Sequence, residues 1–352
     1  YAVAGGVQIA KGGVLVQRTY DVSPLKGPVG TTITIKLNGL GWKAYEDTVG
    51  VIWDNRYVGF LSSVTTRGTA WATIRAAGPP GRHTLELVPA SATTPFLNIT
   101  QSAIGYLGYK RYTFLVTKDA GPPPPSVTWP DAIAPTDASK TGVPVTAASG
   151  VTAKLSSTSG QILSQTQLTA SGLTPGPALI QWVTAVGTRT GAGWSIVNTP
   201  LGNATVGADG KLTTNVKIPD DVGGWHTIEI DQGGKSQVAV PYRLDQSMIG
   251  TTNIRVKRGQ HFQIHLKGVG FTELDNILAV DVDDAYIGYA CGFFSAGDTL
   301  VDLIASGEPG THLVDIYPTI YKQKGSDQWY GGTPFLTYRT DYPMLALGYK
   351  LP

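Results

Sequence analysis

The sequence is poor in cysteine, in charge and in long apolar runs, and each shortage excludes a class of protein. Cys291 is the only cysteine among the 352 residues, so no disulfide can form within the chain and a disulfide scaffold is excluded. Charged residues make up 15% and the net charge is +2, with Lys and Arg scattered, which excludes the basic stripe that nucleic acids require. No apolar run approaches the roughly 18 residues of a transmembrane segment.

What the sequence does contain is typical of short strands joined by tight turns. There are 44 Gly and 23 Pro, and Thr, Val, Ile and Tyr recur in short runs, while stretches rich in Ala, Leu, Glu and Lys are missing. The first residue is Tyr1 and not Met, so we expect either a processed chain or a fragment. The single cysteine is compatible with an exported, extracellular or cell-surface protein of a prokaryote.

A glycine–x–histidine turn occurs three times along the chain. It is found in "PPGRHTLEL" (79–87), "VGGWHTIEI" (222–230) and "EPGTHLVDI" (308–316). A single shift that places His83 on His312 also aligns 30–42 with 259–271 and 51–60 with 280–289, without a gap. A repeat of this length predicts that the first and third units share one fold, with a more diverged unit between them.

Each unit has the pattern of consecutive strands. Ile33, Ile35 and Leu37 alternate with polar residues, as in a strand with one buried face. "WDNRY" and "VDDAY" place acidic and amide residues between apolar runs, as hairpin turns do. Turn signals recur about every 8–12 residues, which indicates a β-sandwich.

The quoted segments also resemble a known family. "SPLKGPVGTTITIKLNGLGW" (23–42) resembles the opening of the immunoglobulin-like, IPT/TIG-type repeats of bacterial and archaeal surface proteins. "GADGKLTTNVKIPDDVGGWHTIEI" (207–230) is similar to their closing half, and the resemblance covers most of all three units. It implies an all-β chain of three tandem immunoglobulin-like β-sandwiches. It also implies an exported, mostly non-catalytic role as a spacer, adhesin, filament or layer subunit, or enzyme appendage.

The predicted domains are 1–120 with an N-terminal extension, 121–245 with a proline-rich linker, and 246–352 with a C-terminal tail. The four prolines of "DAGPPPPSVTWP" favour a stiff spacer before the second unit. No such linker precedes the third unit, so we expect a close junction there. The third unit is predicted to close near 334–340, which leaves "DYPMLALGYKLP" as the tail.

The repeated histidines are predicted to be part of the framework. Alternation along a strand places His83 on the apolar face with Leu85 and Leu87, whereas Glu86 lies on the other face and cannot orient the ring as a catalytic dyad would. His226 and His312 follow the same pattern. His261 and His265 lie about 13 Å apart on a strand, too far to share a metal ion. We therefore predict no catalytic and no cofactor-binding residue.

Acidic residues cluster in one hairpin turn of the third unit. Asp281, Asp283 and Asp284 occur in "DVDDAY", and clustered carboxylates on a turn are the ligands that calcium favours. The matching turn of the first unit, "WDNRY", has one carboxylate. A plain hairpin turn is the preferred interpretation, and a calcium site is the alternative.

Two inserted loops and the N-terminal segment are the predicted interaction sites. The residues concerned are Phe96, Tyr106 and Tyr109 in the first loop, Tyr321, Trp329 and Tyr330 in the second, and Val3, Val7 and Ile9 at the N-terminus. Long aromatic loops on a rigid sandwich bind partners such as glycans, or else cover the ends of the sheets. An extended terminal segment adds to a neighbour's sheet edge, or else is disordered. Asn98 and Asn203 are in glycosylation sequons.

These observations predict a non-enzymatic structural protein. We expect a subunit of a surface layer or filament, or an adhesin, that forms a homo-oligomer or polymer by strand addition and carries no cofactor. The alternatives are a glycan-binding module and the non-catalytic region of a secreted enzyme. The three core tryptophans expected from the repeat are Trp42, Trp53 and Trp71.

Overall fold

The computed structural model describes the chain apart from residues 1, 5–6, 11, 14–15, 42–47, 64–66, 92–93, 96, 98–109, 123–142, 188–193, 252, 270–276, 293–294, 320–332 and 337–344. Its regular elements within the described ranges are all β-strands. The fold class predicted from the sequence is therefore confirmed: the protein is all-β, with tandem β-sandwich domains.

The first unit follows a short N-terminal pair of strands. The strands up to residue 116 are β1 (Ala2–Ala4), β2 (Val7–Ala10), β3 (Thr19–Ser23), β4 (Lys26–Gly27), β5 (Thr32–Asn38), β6 (Thr48–Trp53), β7 (Arg56–Ser62), β8 (Ala70–Arg75), β9 (Gly81–Ser91), β10 (Thr94–Pro95) and β11 (Lys110–Val116).

The second unit has longer central strands than the first. Its strands are β12 (Thr146–Ala147), β13 (Thr152–Leu155), β14 (Ser159–Gly160), β15 (Gln165–Ser171), β16 (Gly176–Gly187), β17 (Trp194–Val206), β18 (Leu212–Lys217), β19 (Gly224–Gln232) and β20 (Lys235–Leu244).

The third unit extends to the C-terminus. Its strands are β21 (Ser247–Ile249), β22 (Asn253–Arg255), β23 (His261–Lys267), β24 (Ile277–Val282), β25 (Ala285–Cys291), β26 (Thr299–Ile304), β27 (Gly310–Pro318) and β28 (Leu345–Leu351).

All three units have the same two-sheet topology. One sheet has three strands, in the orders β3-β5-β8, β13-β15-β18 and β21-β23-β26. The other follows β4-β11-β9-β6-β7, β14-β20-β19-β16-β17 and β22-β28-β27-β24-β25, and the second unit adds β12, which pairs antiparallel with β20. In each unit a short early strand lies parallel to the last strand, as β4 does to β11, β14 to β20 and β22 to β28. This is the strand order of an immunoglobulin sandwich whose first strand is divided between the two sheets.

The alternation seen in the sequence becomes the core of each sandwich. On β5, Ile33 and Ile35 are fully buried, and Leu37 is nearly so, while the residues between them face outwards. The core of the second unit is built around Trp182 and Tyr242, which are both 1% exposed. Burial of large apolar side chains from two facing sheets is what holds a sandwich together, at about 25 cal/mol per Å² of buried apolar area.

The chain forms two compact bodies, Tyr1–Gly121 and Pro122–Pro352. The second body holds two sandwiches in contact. Lys267 of the third unit donates to Asp220 of the second at 2.7 Å and to Asp298 of its own unit at 2.9 Å. The backbone N–H of Gly223 donates to the carbonyl of Val269 at 3.1 Å. These bonds tie the second sandwich directly to the third.

The sequence-based view of both chain ends needs correction. The segment 345–351 is no free tail, because it forms β28, the closing strand that pairs with β27 along its whole length. Its apolar residues Leu347, Tyr349 and Leu351 alternate and are buried in the sandwich. At the other end, β1 and β2 pair antiparallel with each other. The N-terminal segment is thus a hairpin and not a single extended strand.

One predicted core tryptophan does not face the core. Trp53 is 1% exposed and central, as expected, and Trp42 lies outside the described residues. Trp71 is only partly buried, because its neighbours Ala70 and Ala72 occupy the inward positions of β8. The residue that the repeat places on it, Leu300, is 53% exposed.

Candidate functional site

The best-defined polar arrangement in the first unit surrounds His83 on β9. Its Nδ1 lies 2.5 Å from Oδ2 of Asp54, in the turn between β6 and β7. Its Nε2 donates to the carbonyl of Pro79 at 2.8 Å. The ring stacks on Trp53, with centroids 5.5 Å apart and planes inclined by 12°. We call the ring, the aspartate and the loop carbonyl the histidine latch of this unit.

Asp54 joins the turn to the strand through its backbone as well as its side chain. Its Oδ1 accepts the backbone N–H of Thr84 at 2.9 Å, and its own N–H donates to the carbonyl of Thr84 at 2.9 Å. Asp54 and Asn55 have φ values of 48° and 62°, the left-handed pair of a type I′ hairpin turn, which Asp and Asn tolerate best. The turn residues that the hairpin requires therefore also supply the partner of the histidine.

The third unit repeats this latch almost atom for atom. Nδ1 of His312 lies 2.6 Å from Oδ2 of Asp283, and Nε2 donates to the carbonyl of Glu308 at 2.8 Å. Oδ1 of Asp283 accepts the N–H of Leu313 at 2.9 Å. The ring stacks on Tyr349 of β28, with centroids 4.9 Å apart. The predicted match of His83 with His312 thus extends to their partners.

The second unit makes the latch from a different aspartate. Nε2 of His226 donates to the carbonyl of Val222 at 2.8 Å, as in the other units. Nδ1 instead lies 3.2 Å from Oγ1 of Thr184, whose hydroxyl donates to Asp221 at 2.5 Å. Asp221 also accepts from Nε1 of Trp182 at 2.9 Å. A threonine therefore stands between the ring and the carboxylate.

The latches differ in their electrostatics. In the third unit both ring nitrogens of His312 face acceptors, a carboxylate and a carbonyl, an arrangement that favours the protonated ring because only it can donate to both. The hydrogen bond to Asp283 accordingly raises the pKa of His312, against the opposing effect of burial. In the second unit burial is the largest effect and lowers the pKa of His226, although Asp221 opposes it.

This geometry suits a structural role for the rings. Both nitrogens of each ring are engaged within the protein, and His83 and His226 are only 7% and 1% exposed. A general base needs a nitrogen within reach of a substrate proton, which these rings do not offer. The acid three residues further on faces away, as predicted, because Glu86 bonds Arg111 on the opposite face of the sheet.

Sequence reasoning missed the aspartate of the latch, although a signal for it was present. In the first and third units the aspartate and the histidine are separated by 29 positions. The shift that places His83 on His312 therefore also places Asp54 on Asp283. Two polar residues that repeat together at a fixed separation are candidates for spatial contact.

The three candidate calcium ligands do not form one site. Asp283 belongs to the latch, whereas Asp281 is on the other face of β24, opposite Asp315 of β27. Asp281, Asp284 and Asp315 are all buried, at 1%, 2% and 2% exposure. No group of three or more His, Cys, Asp or Glu side chains within the described ranges has the arrangement of a preformed metal site.

The two other histidines each have an aspartate of their own on the outer face of the third unit. His261 pairs with Asp302 at 2.7 Å, and both side chains are largely exposed, at 64% and 45%. His265 pairs with Asp298 at 2.5 Å, next to Lys267.

Only some of the predicted interaction residues lie in the part of the chain that the structure describes. Phe96, Tyr106, Tyr109, Tyr321, Trp329 and Tyr330 lie outside the described residues. Val3 is on β1 and Val7 and Ile9 are on β2, while their side chains are outside the described part. Asn203 is exposed on β17, and Asn98 is outside the described ranges. No helix found in the described residues is long and apolar enough to cross a bilayer.

Comparison with known proteins adds little to this topology. No family model and no curated protein matches the sequence. Among solved structures, the chain is similar to the Escherichia coli adhesin FdeC at 11% identity, covering 98% of this chain and 99% of that one, with a TM-score of 0.19. It is similar to murine CEACAM1b at 13% identity, over 65% and 99% of the two chains, with a TM-score of 0.17.

A third similar structure is the D1–D4 ectodomain fragment of ICAM-5, at 12% identity over 91% of this chain and 76% of that one, with a TM-score of 0.19. Likenesses at this level say nothing about what this chain does.

Proposed function

We propose that this chain is a non-enzymatic, extracellular structural region of a prokaryotic cell-surface protein, in which tandem sandwiches act in self-assembly or adhesion. The observation that carries the proposal is the histidine latch, which recurs in three consecutive sandwiches. A catalytic constellation has no reason to recur in every repeat of an array, whereas a brace that holds a turn to a strand does.

The finer proposal is that copies of the chain join by strand addition. Within the described residues β17 pairs with β16 alone, and its 13 residues, "WSIVNTPLGNATV", carry no charge. Residues 195–200 are all exposed. Charged side chains are a common device that protects a sheet edge from pairing. The five-stranded sheet of the third unit also ends in an uncharged strand, β25, but β17 is nearly twice as long, so we take the β17 edge as the acceptor for a strand of a second copy. The donor proposed is the N-terminal segment, which would have to open its hairpin.

The experiment combines a deletion with an edge substitution. Removal of residues 1–13 should convert filaments or sheets into a soluble monomer by sedimentation and electron microscopy. Val197→Lys places a charge on the open edge at a side chain that is 46% exposed, and should also weaken assembly. Gln167→Lys is the control, because it adds the same charge to an exposed position of the central strand β15.

Three outcomes would contradict parts of the proposal. Assembly that proceeds unchanged without residues 1–13 would exclude the N-terminal segment as the donor. Assembly that tolerates Val197→Lys as well as Gln167→Lys would exclude the β17 edge as the acceptor. A chain of residues 1–352 that remains monomeric and binds no surface under all conditions would remove the support for assembly or adhesion.

A further inference from the structure

The joint between the second and third sandwiches uses one short loop of the second unit, residues 219–223, which we call the joint loop. The backbone N–H of Gly223 donates to the carbonyl of Val269 in the third unit at 3.1 Å. Gly297 of the third unit lies so close to the loop that a Cβ on it would be 2.8 Å from the carbonyl oxygen of Asp221. Because only glycine permits this approach of two backbones, the shape of the joint loop decides how the third sandwich fits.

The other side of the joint loop is held by the histidine latch of the second unit. His226 donates through Nε2 to the carbonyl of Val222 at 2.8 Å. The carboxylate of Asp221 accepts from Nε1 of Trp182 at 2.9 Å and from the hydroxyl of Thr184 at 2.5 Å. The carbonyl of Asp221 and Cα of Val222 lie against the third sandwich. Two consecutive residues therefore connect the latch on one side with the third sandwich on the other.

The latch aspartate has a different position in the first and third units. Five positions before the histidine these units have Gly78 and Gly307, where the second unit has Asp221. Their latch aspartates, Asp54 and Asp283, come from hairpin turns instead. The second unit thus places its carboxylate in the loop that carries the next sandwich, which gives a reason for the different construction of its latch.

The ion pair at the joint does not by itself make the joint rigid. Lys267 of the third unit contacts Asp220 of the joint loop at 2.7 Å, but the side chain of Asp220 is 44% exposed, so solvent screens the pair. Sandwiches that meet through polar contacts move relative to each other unless something else fixes them. A loop that is fixed before docking lowers the entropy cost of holding the third sandwich in one position.

We propose that the latch of the second unit is also the brace of this joint, in which Trp182, Thr184 and His226 hold the joint loop in the shape onto which the third sandwich docks. Loss of the latch lets the third sandwich move relative to the second while both remain folded, as at a hinge. The latch therefore makes the second and third sandwiches a rigid pair. This inference does not depend on how copies of the chain assemble.

The test measures the distance between the two sandwiches in the chain of residues 1–352. Nitroxide labels on Gln167→Cys and Gln263→Cys report this distance by double electron–electron resonance, because both positions are exposed on the central strands β15 and β23. Cys291→Ser removes the native thiol from every labelled chain. With the latch intact, the labels should give one narrow distance. Thr184→Val removes the hydroxyl between the ring and the carboxylate, and should replace the narrow distance by a broad distribution.

Two control variants separate the brace from a general loosening of a sandwich. Asp283→Asn weakens the latch of the third unit, which shares no residue with the joint, and should keep the narrow distance. Thr184→Ser retains the hydroxyl and should keep it as well. Near-ultraviolet circular dichroism checks that each variant is folded. If Thr184→Val fails this check, Asp221→Asn, which keeps the shape of the side chain, takes its place and should also broaden the distribution.

Three results would overturn the proposal. A folded Thr184→Val chain that keeps the narrow distance would mean that the joint is rigid without the latch. A broadening in Asp283→Asn equal to that in Thr184→Val would mean that any weakened sandwich moves relative to its neighbour. A broad distribution with the latch intact would mean that nothing braces the joint.

Discussion

Replacement of Asp283 by Asn should loosen the third sandwich selectively, and most strongly at mildly acidic pH. The substitution keeps the shape of the side chain and an oxygen for the N–H of Leu313, but it removes the charge that His312 contacts at 2.6 Å. A hydrogen bond to a charged group contributes about 1.5–3 kcal/mol. The side chains of His312 and Asp283 are only 12% and 16% exposed, so solvent screens this bond little.

The sign of the pH dependence follows from the raised pKa of His312. A base whose pKa is higher in the folded than in the unfolded state contributes stability that is complete below the unfolded value, about 6.5, and is lost as the pH rises through the folded value. The difference between wild type and Asp283→Asn should therefore be about 1.5–3 kcal/mol near pH 5.5 and shrink towards pH 9.

Hydrogen exchange measured by mass spectrometry on peptides covering β24 and β27 reports this difference locally. The matched control is Asp302→Asn, which breaks the exposed pair of Asp302 with His261 in the same unit. Exposed pairs contribute about 0–1 kcal/mol, so protection should hardly change. Equal loss of protection in the two variants, or a loss in Asp283→Asn that does not vary with pH, would refute the latch as described.

Three other predictions concern the second unit, the loop before β9 and the junction. Because burial lowers the pKa of His226, the second unit should lose stability as the pH falls below about 6.5, which is the opposite of the effect of the latch in the third unit. Hydrogen exchange of β19 and β27 peptides measures the two responses, and equal responses to acid would contradict this prediction. Gly78→Ala should lower the free energy of unfolding by about 2 kcal/mol or more, because the added Cβ would lie 2.6 Å from Cε1 of His83. Gly81→Ala is the control and should cost less, because Gly81 also has a positive φ but a Cβ there would have no atom within 4 Å. Equal losses in urea denaturation would exclude a steric effect on the ring. Lys267→Met should make the junction between the second and third sandwiches cleavable near 245–250 in limited proteolysis. Lys211→Met, which breaks the exposed pair with Asp209, is the control and should not. Resistance in both variants would show that the backbone contacts are enough to hold the junction.

The fold was predictable because its signals are local. Alternation on β5, the turn residues Asp54 and Asn55, and the Pro-Gly turn before β9 each act within a few residues, and each recurs at the matching positions of the third unit. The closing strand β28 was missed because a long insertion separates it from β27, and an earlier apolar segment, 334–340, has a similar composition. Sequence distance alone does not tell which of two apolar segments completes a sheet.

The site was less predictable because its contacts are long-range. The buried position of His83 followed from alternation, but its partner Asp54 comes from another hairpin and was interpreted only as a turn residue. The prediction that Trp71 is a core residue was wrong for a related reason. The inward positions of β8 are occupied by the small neighbours Ala70 and Ala72, and the size of the tryptophan does not decide which face it takes. The pairing of the strands decides which polar groups contact each other across a sandwich, and the composition of the sequence does not reveal that pairing.

The most direct test of the central claim, a tandem array of sandwiches each braced by a histidine latch, is single-molecule unfolding of the full chain under force. Wild type should give three unfolding events, one for each sandwich. Asp54→Asn should weaken one event and leave two unchanged, and adding Asp283→Asn should weaken a second, because each latch braces only its own unit. Three events whose forces do not respond to either substitution, or unfolding in a single cooperative step, would contradict the account.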